Sequence, residues 1–309
     1  MKSAKDNNMK QNIFALGDST YDIAFKDGKP IFAKTGGSVV NTSISLARLG
    51  CKVSLITFLA NDEIGRISKK FLEENGVNTG LTTSFDGNSK LALAFLKDNN
   101  DAQYSFYDGR MDKQVSLKFP AVEEDNIVLF GSSFAVRENH RHGLVEYLEK
   151  CTKQGNLIYY DPNVRQAYLN SGTRNYIFEN IKMAKIIKGS IEDFHLLFDT
   201  IQSQKIHQNL KKINPEAILI ITTGKNPVKL YLKGAEYQFK VPEIKPVSTI
   251  GAGDTINAGV IYGLLQHLNH ISEVDRISAA DWKKIINYTI EMAIEVCLSN
   301  DNYISKKKL

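Results

Sequence analysis

The sequence predicts an α/β fold of three layers, with helices on both faces of a mostly parallel central sheet. From residue 127 onward, short apolar runs alternate with helical stretches, which is the pattern of strand–helix–strand units joined by right-handed crossovers. Nearer the N-terminus, several strand-like runs follow one another across short turns, which predicts a separate antiparallel sheet. We therefore expect a single domain over residues 1–309, with a small β-sheet lid formed by about 22–35 and 82–108.

The N-terminal elements follow from local patterns. Asp27-Gly28 between two short alternating runs is typical of a β-hairpin turn, and Gly50 after an apolar helical pattern is typical of a helix end. The predicted elements, in order, are a strand at 13–16, the hairpin at 21–35, a helix at 38–49, a strand at 53–57, a helix at 64–75, and strand-like runs at 82–85, 91–96 and 103–107.

The C-terminal half alternates more regularly between strands and helices. Alternation of this kind indicates a parallel sheet, whose ligands bind at the carboxyl ends of the strands. The predicted elements are strands at 127–130, 157–160, 184–187 and 217–222, helices that include 143–153 and 173–182, an antiparallel hairpin at 228–241, and two or three helices toward the end.

The composition is that of an ordinary globular protein. The 309 residues are 42% hydrophobic and 24% charged, and the net charge of +5 comes from 39 Lys and Arg against 34 Asp and Glu. The densest basic run is 306–308, at the end of the chain, so we expect no nucleic-acid partner. No uncharged apolar run reaches the length of a transmembrane helix, so we expect no membrane partner.

The cysteines and the first residues indicate a compartment. Cys51, Cys151 and Cys297 are far apart, odd in number and outside any Cys-x-x-Cys pair, so we expect neither a disulfide framework nor a zinc site. The first ten residues are polar and lack the apolar stretch of a secretory signal. These features predict a protein of the reducing cytoplasm.

Residues 248–259, which read Ser-Thr-Ile-Gly-Ala-Gly-Asp-Thr-Ile-Asn-Ala-Gly, open a helical pattern. The first N–H groups of a helix are unpaired and lie at the positive end of its dipole, so Gly251, Ala252 and Gly253 predict an anion site. A carboxylate would repel the anion there, unless Asp254 takes a proton from a hydroxyl that attacks a phosphate held by those amides. A tight turn with a helix N-cap is the simpler alternative for the same residues.

Polar residues also follow several predicted strands or begin the helices after them. Each group alone could be a turn or a helix cap. Because the carboxyl ends of parallel strands share one edge of the sheet, we expect the groups to form one site. They are Asp18 with Asp22, Gly36-Gly37-Ser38-Val39-Val40-Asn41, Asp161-Pro162-Asn163-Val164-Arg165, Lys188-Gly189-Ser190-Ile191-Glu192-Asp193, and Thr222-Thr223-Gly224.

The order of these groups resembles the ribokinase-like (PfkB-type) carbohydrate kinases over about residues 12–300. The stretch from Gly36 to Gly65, with Asn41, Ala47-Arg48-Leu49-Gly50 and Asn61-Asp62-Glu63-Ile64-Gly65, is similar to the family's N-terminal signature. The stretch Thr249 to Asp254, with Asn257-Ala258-Gly259, is similar to its C-terminal signature. Two signatures in the expected order are far more specific than one short glycine-rich motif.

The resemblance implies a ribokinase-like fold and ATP-dependent phosphorylation of a sugar hydroxyl, with Mg²⁺ as cofactor. Asp254 is then the general base, and the amides of Gly251, Ala252 and Gly253 stabilise the transferring phosphoryl group. The implied sugar-binding residues are Asp22, Gly36, Gly37, Asn41, Phe106 and Arg165. The implied nucleotide-binding residues are Ser190, Thr223, Gly224 and Asn287.

Four positions depart from the usual pattern of the family: Pro227 stands near a usual glycine, Ile256 stands where Phe is usual, and the other two concern bound ions. Ser190 to Asp193 stands where the family often has Asn-x-x-Glu, which helps to organise magnesium; Asp193 can still act on the metal through water. Ser248 stands where Asp commonly precedes Thr249. Because that carboxylate helps to hold a monovalent cation in some members, the resemblance gives no firm expectation of potassium activation.

The choice of sugar depends on the lid segment 106–110, which reads Phe-Tyr-Asp-Gly-Arg. Keto-acid kinases of the family generally have a Tyr-Arg pair here that binds the substrate carboxylate. Asp108 at the arginine position would repel a carboxylate, so we expect a neutral sugar, fructose first and ribose second. Arg110, two residues further on, carries a positive charge that could bind a substrate carboxylate, so 2-keto-3-deoxygluconate is an alternative substrate. A nucleoside is a further alternative.

Two other function classes agree with parts of the sequence. Ser190 and Ser248 favour a sugar- or nucleotide-binding regulator without activity, whereas the intact motif 251–254 opposes it. A nicotinamide dehydrogenase is opposed by residues 17–22, because the first strand ends there without a Gly-x-Gly-x-x-Gly fingerprint. An exposed lid sheet could also pair across a homodimer.

Overall fold

The fold of the described residues, 10–96, 102–111 and 113–306 of this computed structural model, consists of a large sheet, two smaller sheets and eight helices. The strands of the large sheet are β1 (Asn12–Leu16), β4 (Lys52–Ile56), β9 (Ile127–Gly131), β10 (Leu157–Asp161), β11 (Ile186–Ser190), β12 (Ile218–Thr223), β13 (Asn226–Leu232) and β14 (Ala235–Phe239). The strands of the smaller sheets are β2 (Thr20–Lys26), β3 (Lys29–Gly36), β5 (Phe58–Ala60), β6 (Thr83–Phe85), β7 (Leu91–Leu96) and β8 (Ala102–Tyr107). The helices are α1 (Ser38–Arg48), α2 (Glu63–Glu74), α3 (Glu138–Lys153), α4 (Ser171–Met183), α5 (Ile191–Phe198), α6 (Ser203–Ile213), α7 (Ala252–His267) and α8 (Ala279–Cys297).

The eight strands of the central sheet follow the order β14-β13-β12-β11-β10-β9-β1-β4. Neighbouring strands from β12 to β4 are all parallel, whereas β13 and β14 form an antiparallel edge. The predicted mostly parallel sheet and the hairpin after it are therefore confirmed. Since the parallel strands end at one edge, the polar residues that follow them are brought together there.

Helices cover both faces of the central sheet. One apolar core joins the sheet to α1, α7 and α8 and includes Val40, Leu264 and Trp282. The other joins it to α3, α4, α5 and α6 and includes Leu148 and Phe194. Each large apolar side chain buried in this way contributes roughly 1.5–3 kcal/mol relative to exposure, so both cores hold the edge with the polar residues in place.

A four-stranded small sheet of order β3-β2-β7-β8 lies apart from the central sheet. Asp22 pairs with Ala92 and Ala92 pairs with Phe106, so these three residues form one row across the sheet and share a face. Residues two positions along a strand return to the same face. The next row on this face therefore contains Ala24, Ala94 and Tyr104.

One part of the predicted lid belongs elsewhere. Residues 82–85 do not join the small sheet, because Thr83–Phe85 pairs in parallel with Phe58–Ala60 in a separate two-stranded sheet. The Thr83 amide donates to the Thr57 carbonyl, directly after β4, and this bond holds the segment to the main body. Residues 97–101 of the predicted lid lie outside the described residues.

Two predicted boundaries also differ from the structure. The strand predicted at 184–187 begins at Ile186, since the Ala184 amide still bonds to carbonyls in the last turn of α4. The helix predicted at 143–153 begins earlier, at Glu138. Among the residues described, no helix combines the length and the apolar character needed to cross a lipid bilayer.

Candidate active site

Asp254 lies in the first turn of α7, and its carboxylate is held by the first residues of α1. Ser38 Oγ donates to Asp254 Oδ1 over 2.6 Å, and Asn41 Nδ2 donates to Asp254 Oδ2 over 2.8 Å. Burial raises the pKa of Asp254 above its ordinary value, although the two hydrogen bonds oppose the shift. A raised pKa makes the carboxylate a better proton acceptor, and the two donors fix its direction.

The loop before Asp254, residues 251–253, is called the anion loop below. Gly251 caps α7 with a φ of 83°, and a Cβ there would lie 2.1 Å from the Asn302 carbonyl oxygen, so both the backbone conformation and the close contact require glycine. The Ala252 amide donates to the Thr249 carbonyl over 3.3 Å. The amides that follow lie where a helix leaves N–H groups without intrahelical partners, the arrangement that binds phosphate groups.

A buried ion pair lies beside the anion loop. Lys188 Nζ, on β11, donates to Asp161 Oδ2 over 3.0 Å, and the two side chains are only 5% and 3% exposed. Asn257 Nδ2 donates to the same oxygen over 2.6 Å. Burial lowers the pKa of Lys188, but the neighbouring carboxylates, Asp161 first, outweigh burial and leave that pKa raised. A Cβ on Gly253 would lie 3.1 Å from Lys188 Nζ, so the positive charge borders the loop.

Asp22, on β2, shares an electrostatic environment with the proposed base. Burial and the nearby carboxylate of Asp254 raise the pKa of Asp22 to about 6, against the hydrogen bond that Thr20 Oγ1 donates over 2.7 Å. Gly36 leaves room for this carboxylate, since a Cβ there would lie 2.0 Å from Asp22 Oδ2. Gly37 caps α1 at a φ of 112°, where a Cβ would meet backbone at 2.3 Å. The structure thus brings Asp22, Gly36 and Gly37 together as predicted.

Asn41 has one amide atom without a protein partner. Its Nδ2 bonds to Asp254, whereas its Oδ1 is buried and accepts no hydrogen bond from any described residue. Because an ionised carboxylate only accepts, Asp254 fixes which way the amide points. A buried acceptor without a donor costs roughly 1–3 kcal/mol, so Asn41 Oδ1 is suited to a donor that a ligand supplies.

Two aromatic rings of the small sheet lie over this region. The rings of Tyr104 and Phe106 stack with their centroids 5.7 Å apart. Burial and the carboxylates of Asp22 and Asp254 raise the pKa of Tyr104, whereas Arg165 lowers it. Tyr104 therefore lies within electrostatic range of Asp22, Asp254 and Arg165. Of the predicted residues, Phe106 shares a sheet face with Asp22, and Arg165 lies within electrostatic range of Tyr104 on that face.

Ser190 and Asp193 hold each other at the start of α5. The Ser190 amide donates to Asp193 Oδ2 over 2.7 Å, and the Asp193 amide donates to Ser190 Oγ over 3.1 Å. Asp193 Oδ1 accepts a further bond from the Val164 amide over 2.7 Å. Both carboxylate oxygens therefore serve backbone N–H groups, which accounts for the burial of Asp193. Its role at a metal ion stays a prediction.

The remaining predicted nucleotide contacts lie at the next strand and on α8, which packs against α7. Thr223 ends β12, the neighbour of β11, and its hydroxyl donates to the Pro227 carbonyl over 2.8 Å. Gly224 follows with a φ of 60° and open space around the position of a Cβ. Asn287 is exposed on α8, and no hydrogen bond among the described residues links it to the other predicted contacts. All these nucleotide roles stay predictions.

The segment 300–304, after α8, packs against two elements of the site. The Asn302 carbonyl touches Gly251, and the Asn302 side chain is buried with no hydrogen bond to the part of the chain that the structure describes. Arg48 Nη1, at the end of α1, donates to the Ile304 carbonyl over 2.5 Å. The segment thereby joins the start of α7 to the end of α1.

The model of the pfkB family of carbohydrate kinases matches residues 13–285. The chain belongs to this family. It is therefore a sugar kinase, and membership implies the use of ATP. The kinase is 26% identical to a probable fructokinase-7 of Arabidopsis thaliana over 269 residues, which cover 81% of this chain and 76% of the relative. It is 28% identical to a 5-dehydro-2-deoxygluconokinase of Geobacillus thermodenitrificans over 249 residues, 74% of this chain and 72% of the relative.

Solved structures of other kinases share the fold. A fructokinase of Vibrio cholerae, in its form with fructose, ADP and calcium ion, superposes with a TM-score of 0.83 and 16% identity over 96% of this kinase and 95% of that chain. An aminoimidazole riboside kinase of Salmonella enterica, bound to aminoimidazole riboside and an ATP analogue, superposes with a TM-score of 0.79. The two sequences are 19% identical, and the match covers 94% of this kinase and 95% of that chain. The predicted ribokinase-like fold with a separate small sheet is confirmed.

Sequence patterns gave no individual role to Ser38, Lys188 or Tyr104, although the groups expected to form the site include the first two. Ser38 lies inside the N-terminal signature, but the resemblance assigned sugar binding only to its neighbours Gly36, Gly37 and Asn41. Lys188 is a charged residue within a buried strand, which is rare unless the charge is paired. Tyr104 stands two positions before Phe106 on β8 and therefore on the same face. The last two signals could have been found in the sequence.

Proposed function

We propose that this kinase transfers the γ-phosphoryl group of ATP to a hydroxyl group of a neutral sugar, with fructose as the first candidate, and that residues 1–309 act as one domain. The observation that carries the proposal is the setting of Asp254. Its carboxylate is directed by Ser38 and Asn41, it follows a helix start that suits anions, and the buried acceptor Asn41 Oδ1 has no donor from the described residues. A base, an anion site and a hydroxyl-binding group are what phosphoryl transfer to an alcohol needs.

Different groups accept the hydroxyl proton and stabilise the negative charge of the transferring phosphoryl group. The sugar hydroxyl gives its proton to Asp254 while its oxygen forms a bond to the γ-phosphorus, and the bond from that phosphorus to the ADP oxygen breaks. The amides of Gly251, Ala252 and Gly253 stabilise the negative charge on the phosphoryl oxygens. The groups proposed to orient the sugar are Asp22, Gly36, Gly37, Asn41, Phe106 and Arg165.

ATP is proposed to bind near the ends of β11 and β12 as its magnesium complex. Bound Mg²⁺ neutralises charge on the phosphates. Within the described ranges, no cluster of three or more His, Cys, Asp or Glu side chains could hold a metal, which fits an ion held mainly by phosphates and water. Asp193 would act on it through water, because both its oxygens already accept amide hydrogens. The proposed nucleotide contacts are Ser190, Thr223, Gly224 and Asn287.

A neutral sugar is supported by the charges near the small sheet. Asp108 follows β8, and Arg137, which lies within 3.1 Å of Asp108 and 3.6 Å of Asp18, is thus already paired with two protein carboxylates. The similarity to fructokinases favours fructose. The relative named 5-dehydro-2-deoxygluconokinase and the cation of Arg110 keep a sugar acid as an alternative. Ribose and nucleosides are further alternatives.

A coupled assay of ADP release tests this proposal with fructose, ribose, 2-keto-3-deoxygluconate and nucleosides as acceptors. We expect the highest kcat/KM with fructose. A higher value with the keto acid would reject the neutral sugar but keep the kinase reaction. Binding of a sugar or of ATP by calorimetry, without ADP release for any acceptor, would instead identify an inactive regulator.

Two further proposals concern assembly and compartment. Ile31, Phe95 and Tyr107 of the small sheet are 50%, 41% and 56% exposed, which supports a homodimer through this sheet. Sedimentation of the kinase and of Tyr107→Glu tests it, since the variant should sediment as a monomer. Cys51, Cys151 and Cys297 form no disulfide within the described residues, which supports a reducing cytoplasm.

A further inference from the structure

The amine of Lys188 has hydrogen-bonding capacity that the protein does not use. An ammonium group has three N–H donors, and Lys188 Nζ makes one hydrogen bond, to Asp161 Oδ2, among the residues described. Its side chain is 5% exposed. Nζ lies 3.1 Å from the position of a Cβ on Gly253, so the amine is in close contact with the anion loop.

A contribution to folding stability does not by itself explain why a charged residue is buried at position 188. Lys188 extends the apolar run Ile186-Ile187 of β11, and a buried ion pair is often no more stable than apolar residues of similar size. Asp161 also has a second donor, Asn257 Nδ2, at 2.6 Å. The positive charge of Lys188 therefore lies beside the start of α7, which itself attracts anions. The attraction of the ammonium group and that of the helix N-terminus add.

We propose that Lys188 is a further catalytic residue of this kinase, whose ammonium group contacts the transferring phosphoryl group at the anion loop. The inference rests on the proposed phosphoryl transfer. Lys188 neither gives nor takes a proton, since the hydroxyl proton goes to Asp254. Its charge offsets the negative charge on the phosphoryl oxygens as the bond to ADP breaks, and Asp161 keeps the amine charged and directed.

The same charge reduces a repulsion within the site. Asp254 is a carboxylate that must stand beside the γ-phosphoryl group, and electrostatic attraction to Lys188 favours its ionised form. An ammonium between the two anions lowers the cost of bringing them together. The group that Lys188 recognises is thus a terminal phosphoryl dianion rather than the adenosine part of the nucleotide.

A double-mutant comparison separates catalysis from simple neutralisation of Asp161. Lys188→Met leaves the Asp161 charge buried and unpaired, whereas Lys188→Met with Asp161→Asn removes both charges and should fold. We expect kcat to fall about 100-fold or more in both variants, with the sugar Kd within about threefold of wild type. Recovery of kcat to within about threefold in the double variant would overturn the proposal, because the lysine would then serve only its partner.

Binding supplies a readout that does not depend on turnover. We expect the double variant to bind a non-hydrolysable ATP analogue about 10-fold more weakly than wild type by calorimetry, while ADP binding changes less than about twofold. Equal losses for both nucleotides would overturn the proposal. This comparison needs no sugar, so it decides the role of Lys188 even if the wild type phosphorylates none of the acceptors above, a result that would reject the proposed function instead.

Discussion

Asn41 Nδ2 donates a hydrogen bond to Asp254 Oδ2 over 2.8 Å, which joins two residues that are 213 positions apart in the sequence. The bond connects the two signatures of the family through one atom pair. It directs the carboxylate and at the same time fixes the Asn41 amide so that its Oδ1 stays available. The positions of the proposed base, Asp254, and of the proposed sugar-binding residue, Asn41, are therefore coupled. A substitution of either residue should change the orientation of the other.

Asp254→Asn should abolish most turnover without unfolding the protein. The amide cannot accept the hydroxyl proton, so we expect kcat to fall ~10²–10⁴-fold. Because burial raises the pKa of Asp254, the charge is costly, and the melting temperature should stay equal or rise. Ser38→Ala, which keeps the base and removes one donor, is the matched control with a smaller loss. Near-normal kcat in Asp254→Asn would reject the assignment of the base.

Gly36→Ala should weaken sugar binding. The new Cβ would stand 2.0 Å from Asp22 Oδ2, so the carboxylate must move away from its position. We expect the sugar KM to rise about 10-fold or more, with a smaller change in the KM for ATP. Gly143→Ala on α3 is the control, since its Cβ would meet a ring atom of Phe119 at an ordinary 3.4 Å. Equal sugar KM values in the two variants would contradict the proposed role of Asp22.

Gly251→Ala and Gly50→Ala form a matched pair, because both glycines have a φ of 83°. Alanine at positive φ costs about 1 kcal/mol or more at either site. Around Gly50 no atom lies within 4 Å of the Cβ position, whereas the Asn302 carbonyl lies 2.1 Å from that of Gly251. We expect both variants to melt at lower temperature and only Gly251→Ala to lose kcat. A parallel loss of kcat in Gly50→Ala would mean that backbone strain alone explains the effect.

Asp22→Asn should stabilise the protein in a pH-dependent way. Folding raises the pKa of Asp22 from 3.8 to about 6, so in this window the folded state binds more protons than the unfolded chain, and stability falls as pH rises through it. The carboxylate faces Thr20 on β2, Lys34 on β3 and Asp254 on α7.

Above about pH 7, Asp22→Asn should therefore exceed wild type in free energy of unfolding by on the order of 3 kcal/mol, and the difference should vanish below about pH 3. Denaturant titrations at several pH values measure this, and a difference independent of pH would contradict it. The sugar KM of the variant should rise at the same time, because a carboxylate that accepts from hydroxyl groups is lost.

The sequence predicted the central sheet well, because strand–helix alternation and glycine-rich turns are local signals. It failed at residues 82–85, whose composition suits a strand but does not specify which edge the strand joins. Thr83 bonds to the end of β4, a choice that depends on the distant Thr57. Pairing partners are non-local, so a strand-like run alone could not reveal this one.

The same limit applies to the site. The motif 251–254 indicates its own chemistry, since free amides and a carboxylate are adjacent in the chain. The pairing of Lys188 with Asp161, and the contact of both with the start of α7, arise only once three elements meet. The burial of Asn302 is even harder to predict from the sequence. A polar residue outside any predicted helix or strand is normally taken to be solvated, yet Asn302 is 1% exposed.

The contact between Asn302 and Gly251 also has a consequence for the order of events in the cell. The residues that support the anion loop are translated well after the loop itself. A ribosome-bound chain that already contains Asp254, Asn41 and Lys188 still lacks the segment that packs against Gly251. If the anion loop acts as proposed, phosphoryl transfer therefore requires residues 300–304 to have been made and to have packed against Gly251.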